Sequence, residues 1–105
     1  MDTLNLARYF ADFLNRYGAK DTEILEAKNG KIFKYMVICT ADDRYFAQNM
    51  LVDFLDYVRQ EFGLVNLGME GYKKCEWIIV DYGKIFVHIF QSKVREKFNI
   101  ERLWK

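Results

Sequence analysis

Residues 76–90 read EWIIVDYGKIFVHIF, and this stretch decides the fold class. Two runs of β-branched and aromatic residues, which favour strands, flank Tyr82-Gly83-Lys84. The pattern predicts a β-hairpin with Gly83-Lys84 as a two-residue turn. The same stretch contains a Trp, an Asp and the chain's only His, which a plain core hairpin does not need.

The predicted hairpin has two different faces, because side chains alternate along a strand. One face is a plain core face formed by Ile78, Val80, Tyr82, Ile85, Val87 and Ile89. The other face, called the mixed face below, carries Trp77, Ile79, Asp81, Phe86, His88 and Phe90. A turn of another length would change these pairings, since a slip of one residue moves every side chain to the opposite face.

The mixed face has two interpretations. In the first, a second helix layer covers it, His88 hydrogen-bonds to a neighbour, and Asp81 lies at the hairpin end near solvent. In the second, it is a surface for a partner, since aromatic anchors with a few polar groups are typical of interface hot spots. An uncovered aromatic sheet face would otherwise promote aggregation.

Helices and strands alternate before the hairpin. Asp2 or Thr3 can cap a first helix, which Gly18 ends. Residues 22–27 favour a strand, Asn29-Gly30 a turn, and residues 32–40 a second strand. A long helix is predicted to begin within residues 40–43, with Thr40 accepting from the backbone of Asp43, and to end at Gly63.

The rest of the chain completes the fold class. Residues 66–71 are predicted to form a loop or a short edge strand, and the charged tail, residues 92–105, is mostly compatible with a helix. The expected fold is α+β (mixed α/β), with a four- to five-stranded mixed sheet and flanking helices. A single domain is predicted over residues 1–105, since the chain has no proline and no linker-like segment.

Charge and composition exclude several classes of protein. Sixteen basic and fifteen acidic side chains give a net charge of +1, unlike proteins that bind nucleic acid mainly through phosphates. Arg8 and Asp12 interrupt the N-terminal apolar residues, so no secretory signal is expected. No membrane span is expected either, because no apolar run approaches the ~18 residues that a span needs. Cys39 and Cys75 are expected to be free thiols in a cytoplasmic protein.

No catalytic chemistry is indicated. Cys39, Cys75 and His88 lack the paired spacing of a zinc site, and no motif supports a Cys–His nucleophile. No Gly-rich phosphate-binding loop is present. A nucleotidyltransferase would need clustered metal-binding carboxylates, and the only acidic doublet, Asp42-Asp43, is predicted to lie at a helix start. We therefore expect no enzyme activity, cofactor or metal.

Several separated motifs resemble one known family. In order, they are Tyr35-Met-Val-Ile38-x-Thr40, Glu70-Gly71, Trp77-Ile-Ile-Val-Asp81-Tyr82-Gly83, Val87-His88-Ile89-Phe90, and Arg95, Phe98 and Glu101-Arg-Leu103-Trp104. This pattern resembles the ribosomal silencing factor family, also called Iojap, over roughly residues 3–104. The chain departs from the family at Lys34, at Ala41-Asp42, where a glycine and a small hydroxyl residue are usual, and at Asn99, where Tyr is usual.

The resemblance implies a translation repressor with a nucleotidyltransferase-like fold. Family members bind the large ribosomal subunit through large-subunit protein fourteen and block joining of the small subunit when nutrients are scarce. Trp77, Ile79, Asp81, His88 and Phe90 would then form the docking surface or its support. The alternatives are a homodimer that uses the same face and, less favoured, a nucleotidyltransferase-like enzyme.

The charged tail also has two interpretations. Leu103 and Trp104 pack back on the domain, or Arg95, Lys97 and Arg102 make minor contacts with ribosomal RNA phosphates. Because basic residues interspersed with acids usually form a solvated face, the sequence favours packing.

Overall fold

The computed structural model describes residues 1–27 and 32–98 of the chain. Within these ranges the chain forms three helices and five strands. In chain order they are α1 (Thr3–Tyr17), β1 (Lys20–Glu26), β2 (Tyr35–Ala41), α2 (Arg44–Phe62), β3 (Gly68–Glu70), β4 (Trp77–Asp81), β5 (Ile85–Gln91) and α3 (Ser92–Phe98).

The five strands form one mixed sheet in the order β1-β2-β5-β4-β3. Strands β2 and β5 run parallel at the centre, and the other neighbouring pairs are antiparallel. The short strand β3 lies at one edge, as predicted for residues 66–71. These observations confirm the predicted α+β class with a mixed sheet and flanking helices.

The hairpin turn is also as predicted. Trp77 pairs with Phe90 and Asp81 with Phe86 in the β4–β5 ladder. The Tyr82 N–H donates to the Ile85 carbonyl at 2.9 Å, which leaves Gly83-Lys84 as the turn. Gly83 adopts a φ of 84°, in the left-handed region that glycine enters without steric cost.

The first helix follows its sequence signals. The Asp2 carboxylate accepts from the Asn5 N–H at 2.8 Å and caps the helix, and Gly18 ends it with a φ of 116°. Ala7, Phe10 and Leu14 are fully buried. The capping signals at the two ends therefore predicted the limits of α1.

The start of the second helix was predicted wrongly. The helix begins at Arg44, and the cap is Asp43, whose carboxylate accepts from the Phe46 N–H at 2.8 Å. Thr40 is still in β2, because the ladder between β2 and β5 continues to Ala41. At its other end β2 begins at Tyr35, three residues later than the predicted Ile32; the predicted Asn29-Gly30 turn lies outside the described residues.

Helices α1 and α2 cover one face of the sheet and form the main core there. Phe10 of α1 packs edge-on against Phe54 of α2, with ring centroids 5.2 Å apart. On the sheet side of this core, Ile78, Val80, Val87 and Ile89 are fully buried, which confirms the predicted core face of the hairpin. The mixed face must therefore point away from these two helices. No helix among the described residues is long and apolar enough to cross a membrane.

Candidate docking surface

The hairpin register places all six residues of the mixed face on the side of the sheet opposite α1 and α2. Trp77 pairs with Phe90, and Ile79 pairs with His88, its neighbour across the two strands. The side-chain alternation predicted from the sequence is therefore correct. Whether these residues bind a partner stays a prediction.

A smaller apolar cluster covers part of this side of the sheet. It contains Leu25, Phe33, Met36, Ile38 and Phe90, and Val94 of α3 packs against it. Its buried strand residues belong to β1, β2 and β5, and Trp77 of β4 packs against the cluster. On β4, by contrast, Trp77, Ile79 and Asp81 are only half-buried. The interpretation of a helix layer thus applies to one part of the sheet, and β4 keeps an accessible aromatic and apolar surface.

Trp77 is held by two neighbours on β5. Its indole Nε1–H donates to His88 Nδ1 at 3.0 Å, and its ring lies 4.8 Å from that of Phe90. Because Nδ1 accepts, the neutral imidazole carries its proton on Nε2. The Trp77 ring is therefore fixed in orientation while part of it remains exposed.

His88 is buried and uncharged at neutral pH. Its side chain is 5% exposed, and burial lowers its pKa from the usual 6.5 to about 4. Thr22 Oγ1 is the only buried side-chain nitrogen or oxygen without a hydrogen-bond partner in the described part of the chain. His88 Nε2 also has no hydrogen-bond partner in that part of the chain, but it is not one of the buried unpartnered atoms. It therefore reaches solvent and offers one N–H donor beside Trp77.

Asp81 has a local structural role. Its Oδ1 accepts from the Gly83 N–H at 2.7 Å, which stabilises the turn between β4 and β5. The residue lies at the hairpin end, half-buried, as expected from the sequence. One of its oxygens is thus already used within the chain.

The loop between β3 and β4, residues 71–76, borders Trp77 and was missed by the sequence analysis. The Cys75 N–H donates to the Gly71 carbonyl at 2.9 Å, and the Cys75 thiol donates to the Tyr72 carbonyl at 3.1 Å. Gln91 of β5 donates from Nε2 to the Cys75 carbonyl at 2.9 Å. These bonds fix the loop against the start of β4. The sequence signal for it was Gly71, which had entered only as part of a motif.

Replacement of Gly71 by Ala is expected to destabilise the protein by at least about 2 kcal/mol. Gly71 has a φ of 79°, and a Cβ there would lie 1.9 Å from the Trp77 carbonyl oxygen. Urea unfolding measures the loss. Gly68→Ala is the matched control, because a Cβ at Gly68 meets no atom within 4 Å. Equal stability of the two variants would show that the loop does not require this close approach.

Arg95 of α3 is bound within the domain. Its side chain is 10% exposed and pairs with Glu23 at 3.2 Å. It also donates to Thr40 Oγ1 at 2.8 Å and to the Asp21 carbonyl. At this residue the structure favours packing of the tail over RNA contact. Arg102, Leu103 and Trp104 lie outside the described residues.

Both cysteines are free thiols, and both are buried. Cys39 packs in the core under α1 and α2, on the face of the sheet opposite His88. Burial raises the pKa of its thiol to about 12, although Arg95 opposes this shift. The sheet therefore separates Cys39 from His88. Within residues 1–27 and 32–98, no group of three or more His, Cys, Asp or Glu residues is placed to hold a metal ion.

Sequence comparison places similar proteins in several bacteria. Ribosomal silencing factor RsfS of Chromobacterium violaceum is 31% identical over 88 residues, which are 81% of this chain and 71% of the relative. RsfS of Halalkalibacterium halodurans is 30% identical over 95 residues, covering 87% of this chain and 80% of the relative. A mitochondrial Iojap-related protein of Arabidopsis thaliana is 47% identical over 36 residues, covering 34% of this chain and 19% of the relative.

Two crystal structures have the same fold. A protein from Chromobacterium violaceum superposes with a TM-score of 0.91 at 26% identity, covering 99% of this chain and 87% of that one. A protein from Bacillus halodurans superposes with a TM-score of 0.79 at 24% identity, covering 97% and 95%. The family described as "ribosomal silencing factor during starvation" matches residues 1–105. Together with the hairpin motifs and the fold, this match shows that the chain belongs to the ribosomal silencing factor family.

Proposed function

We propose that this protein represses translation in the cytoplasm during nutrient limitation. It binds the large ribosomal subunit through large-subunit protein fourteen and prevents the small subunit from joining. The family match and the named relatives support a ribosomal role. The observation that carries the proposal is the Trp77 ring, which is half-buried yet held in one orientation by His88 and Phe90.

The five predicted site residues divide into contacts and supports. Trp77 and Ile79 on β4 supply accessible apolar area. Phe90 is fully buried, so it acts by packing under the Trp77 ring. Asp81 holds the turn that ends β4. His88 fixes the indole through Nδ1 and offers its Nε2–H to an acceptor on the partner, such as a carbonyl oxygen.

A fixed aromatic ring favours tight binding. Aromatic residues at the centre of an interface contribute much of its binding energy. A side chain that is already ordered in the free protein loses little conformational entropy on binding. The hydrogen bond of Trp77 and its contact with Phe90 therefore prepare the surface for a partner before the partner arrives.

The proposed inhibition is steric and requires no catalytic group. The domain measures 32 × 32 × 23 Å. A body of this size on the intersubunit face would occupy space that the small subunit needs. Affinity for the large subunit and the size of the domain are sufficient to prevent subunit joining.

Co-sedimentation with separated ribosomal subunits tests the proposal, with a subunit-joining assay alongside. We expect the protein to sediment with large subunits only, and joining to decrease as the bound fraction rises. Binding to large subunits without an effect on joining would contradict the steric mechanism. The absence of binding to either subunit would refute the ribosomal target.

The same accessible apolar surface on β4 is also suited to a second copy of the chain. Sedimentation over a range of protein concentrations measures this self-association. If a dimer buries Trp77, dimer formation and large-subunit binding should compete. A dimer that binds the large subunit with unchanged affinity would place the two interfaces apart.

A further inference from the structure

A group of basic and aromatic side chains lies beside the proposed docking surface. Arg44, the first residue of α2, donates from Nη2 to the Lys73 carbonyl at 3.3 Å and so joins the helix start to the loop of residues 71–76. Tyr72 is 47% exposed. Lys73 and Lys74 are exposed in the same loop. We call Arg44, Tyr72, Lys73 and Lys74 the basic patch.

The cations of the basic patch are not neutralised by neighbouring acids. No ion pair of Arg44, Lys73 or Lys74 occurs in the described part of the chain. The nearby acids of the α2 start have other roles, since Asp42 pairs with Lys20 at 3.1 Å and Asp43 caps the helix. A cation at a helix N-terminus also opposes the helix dipole. The bond from Arg44 to the Lys73 carbonyl contributes to the fold, but it does not neutralise the charge of Arg44.

The basic patch is continuous with the docking surface. A surface cleft is lined by Gly71, Tyr72, Lys73, Lys74, Glu76 and Trp77. Trp77 thus belongs to the mixed face and also lines the cleft that contains Lys73 and Lys74. Glu76 is the one acid in this cleft, so the positive charges are in excess there. A partner that covers Trp77 brings its neighbouring groups directly over the basic patch.

We infer that the basic patch binds the phosphate backbone of ribosomal RNA next to the docked ribosomal protein. The inference rests on the proposed function and adds a second class of contact to it. Lysine and arginine contacts to phosphates position a protein without reading sequence. The exposed Tyr72 provides a stacking surface for an unpaired base. The inferred RNA contact thus lies in the loop before β4 and not at Arg95 of the tail, which is bound within the domain.

The expected contribution is moderate. Each phosphate contact to single-stranded RNA steepens the dependence of log affinity on log salt concentration by about 0.7. With two to three such contacts, affinity for the large subunit should fall about tenfold between about 50 mM and about 200 mM salt. This size is consistent with a chain whose net charge is only +1.

Removal of the two loop lysines is the first test. We expect Lys73→Ala/Lys74→Ala to weaken binding to large subunits about tenfold and to make the salt dependence shallower. Its affinity for isolated large-subunit protein fourteen should not change. The control is Arg8→Ala/Arg16→Ala, which removes the same charge from exposed positions on α1. Equal losses in both variants would indicate a general effect of net charge and refute the inference.

Two further outcomes would overturn the inference. If the lysine variant loses as much affinity for isolated protein fourteen as it loses for large subunits, each compared with the wild type, the basic patch contacts an acidic protein surface rather than RNA. If it binds both as the wild type does, the patch is not used. Each outcome leaves the docking role of Trp77 intact.

Direct binding of RNA separates this inference from the proposed function. A short fluorescein-labelled single-stranded RNA is titrated with protein at about 50 mM salt and followed by anisotropy. We expect the wild type and the α1 control to bind it more tightly than the lysine variant. If this result is obtained but the protein does not bind ribosomal subunits, the proposed function is refuted and RNA binding by the patch is not. Equal binding by all three proteins would refute the patch.

Discussion

Trp77→Ala is expected to weaken binding to the large ribosomal subunit about 100-fold, or about 2.7 kcal/mol. The substitution removes the accessible aromatic ring of β4. It also removes the donor to His88 Nδ1, 3.0 Å away, so two groups of the proposed surface change together. Losses of this size are typical of a tryptophan near the centre of an interface. Titration of labelled protein with purified large subunits measures the effect.

The fold should survive this substitution, because Trp77 is only half-buried and lies opposite the main core. Circular dichroism and urea unfolding check that the variant is folded. Tyr9→Ala is the control, since Tyr9 is an aromatic residue on α1 that is 48% exposed and distant from the mixed face. It should bind within about twofold of the wild type. A folded Trp77→Ala protein that binds normally would remove Trp77 from the docking surface.

A milder variant separates contact area from orientation. Trp77→Phe keeps an aromatic ring over Phe90 but cannot donate to His88. If the hydrogen bond matters by fixing the ring, this variant should bind with an affinity between those of the wild type and Trp77→Ala. Binding equal to the wild type would mean that ring area alone is important.

Local rules predicted the elements of the fold whose signals lie within a few residues. Gly18 and Gly63 end their helices as left-handed caps, and Gly83 forms the predicted turn. The start of α2 shows the limit of such rules. Thr40 and Asp43 are both good capping residues. The choice between them depends on where β2 stops pairing with β5, which is a contact with a strand about fifty residues later in the chain.

The site was predictable to a similar degree. Strand alternation placed Trp77 and His88 on the same face, but it could not show that they bond to each other or that Phe90 is fully buried. That burial depends on Phe33 and on strands from the first half of the chain. The loop before β4 was missed because Gly71 is required by its approach to the Trp77 carbonyl, which is a tertiary contact.

The stability of the protein is expected to fall by about 3 kcal/mol as the pH is lowered from 6.5 to about 4. Burial lowers the pKa of His88 from 6.5 to about 4 in the folded protein. Between these values the unfolded chain binds a proton that the folded chain does not. The stabilisation is therefore fully present above pH 6.5 and is lost as the pH falls towards 4.

His88→Gln isolates this contribution from that of the carboxylates. Glutamine does not titrate, and its amide oxygen can accept from Trp77 Nε1. Urea unfolding of both proteins at pH 7 and about pH 4.5 should show a smaller loss of stability in the variant. The same loss in both proteins would mean that His88 does not contribute.

The same proton should also affect docking. An imidazolium has no free acceptor at Nδ1, so protonation of His88 breaks its bond from the Trp77 indole. Below about pH 5, large-subunit affinity of the wild type should therefore decline more steeply than that of His88→Gln, measured where both remain folded. A decline that is equal in both proteins would show that the orientation of Trp77 is independent of His88. The effect of pH on stability would then stand without any effect on binding, and His88 would be a core residue only.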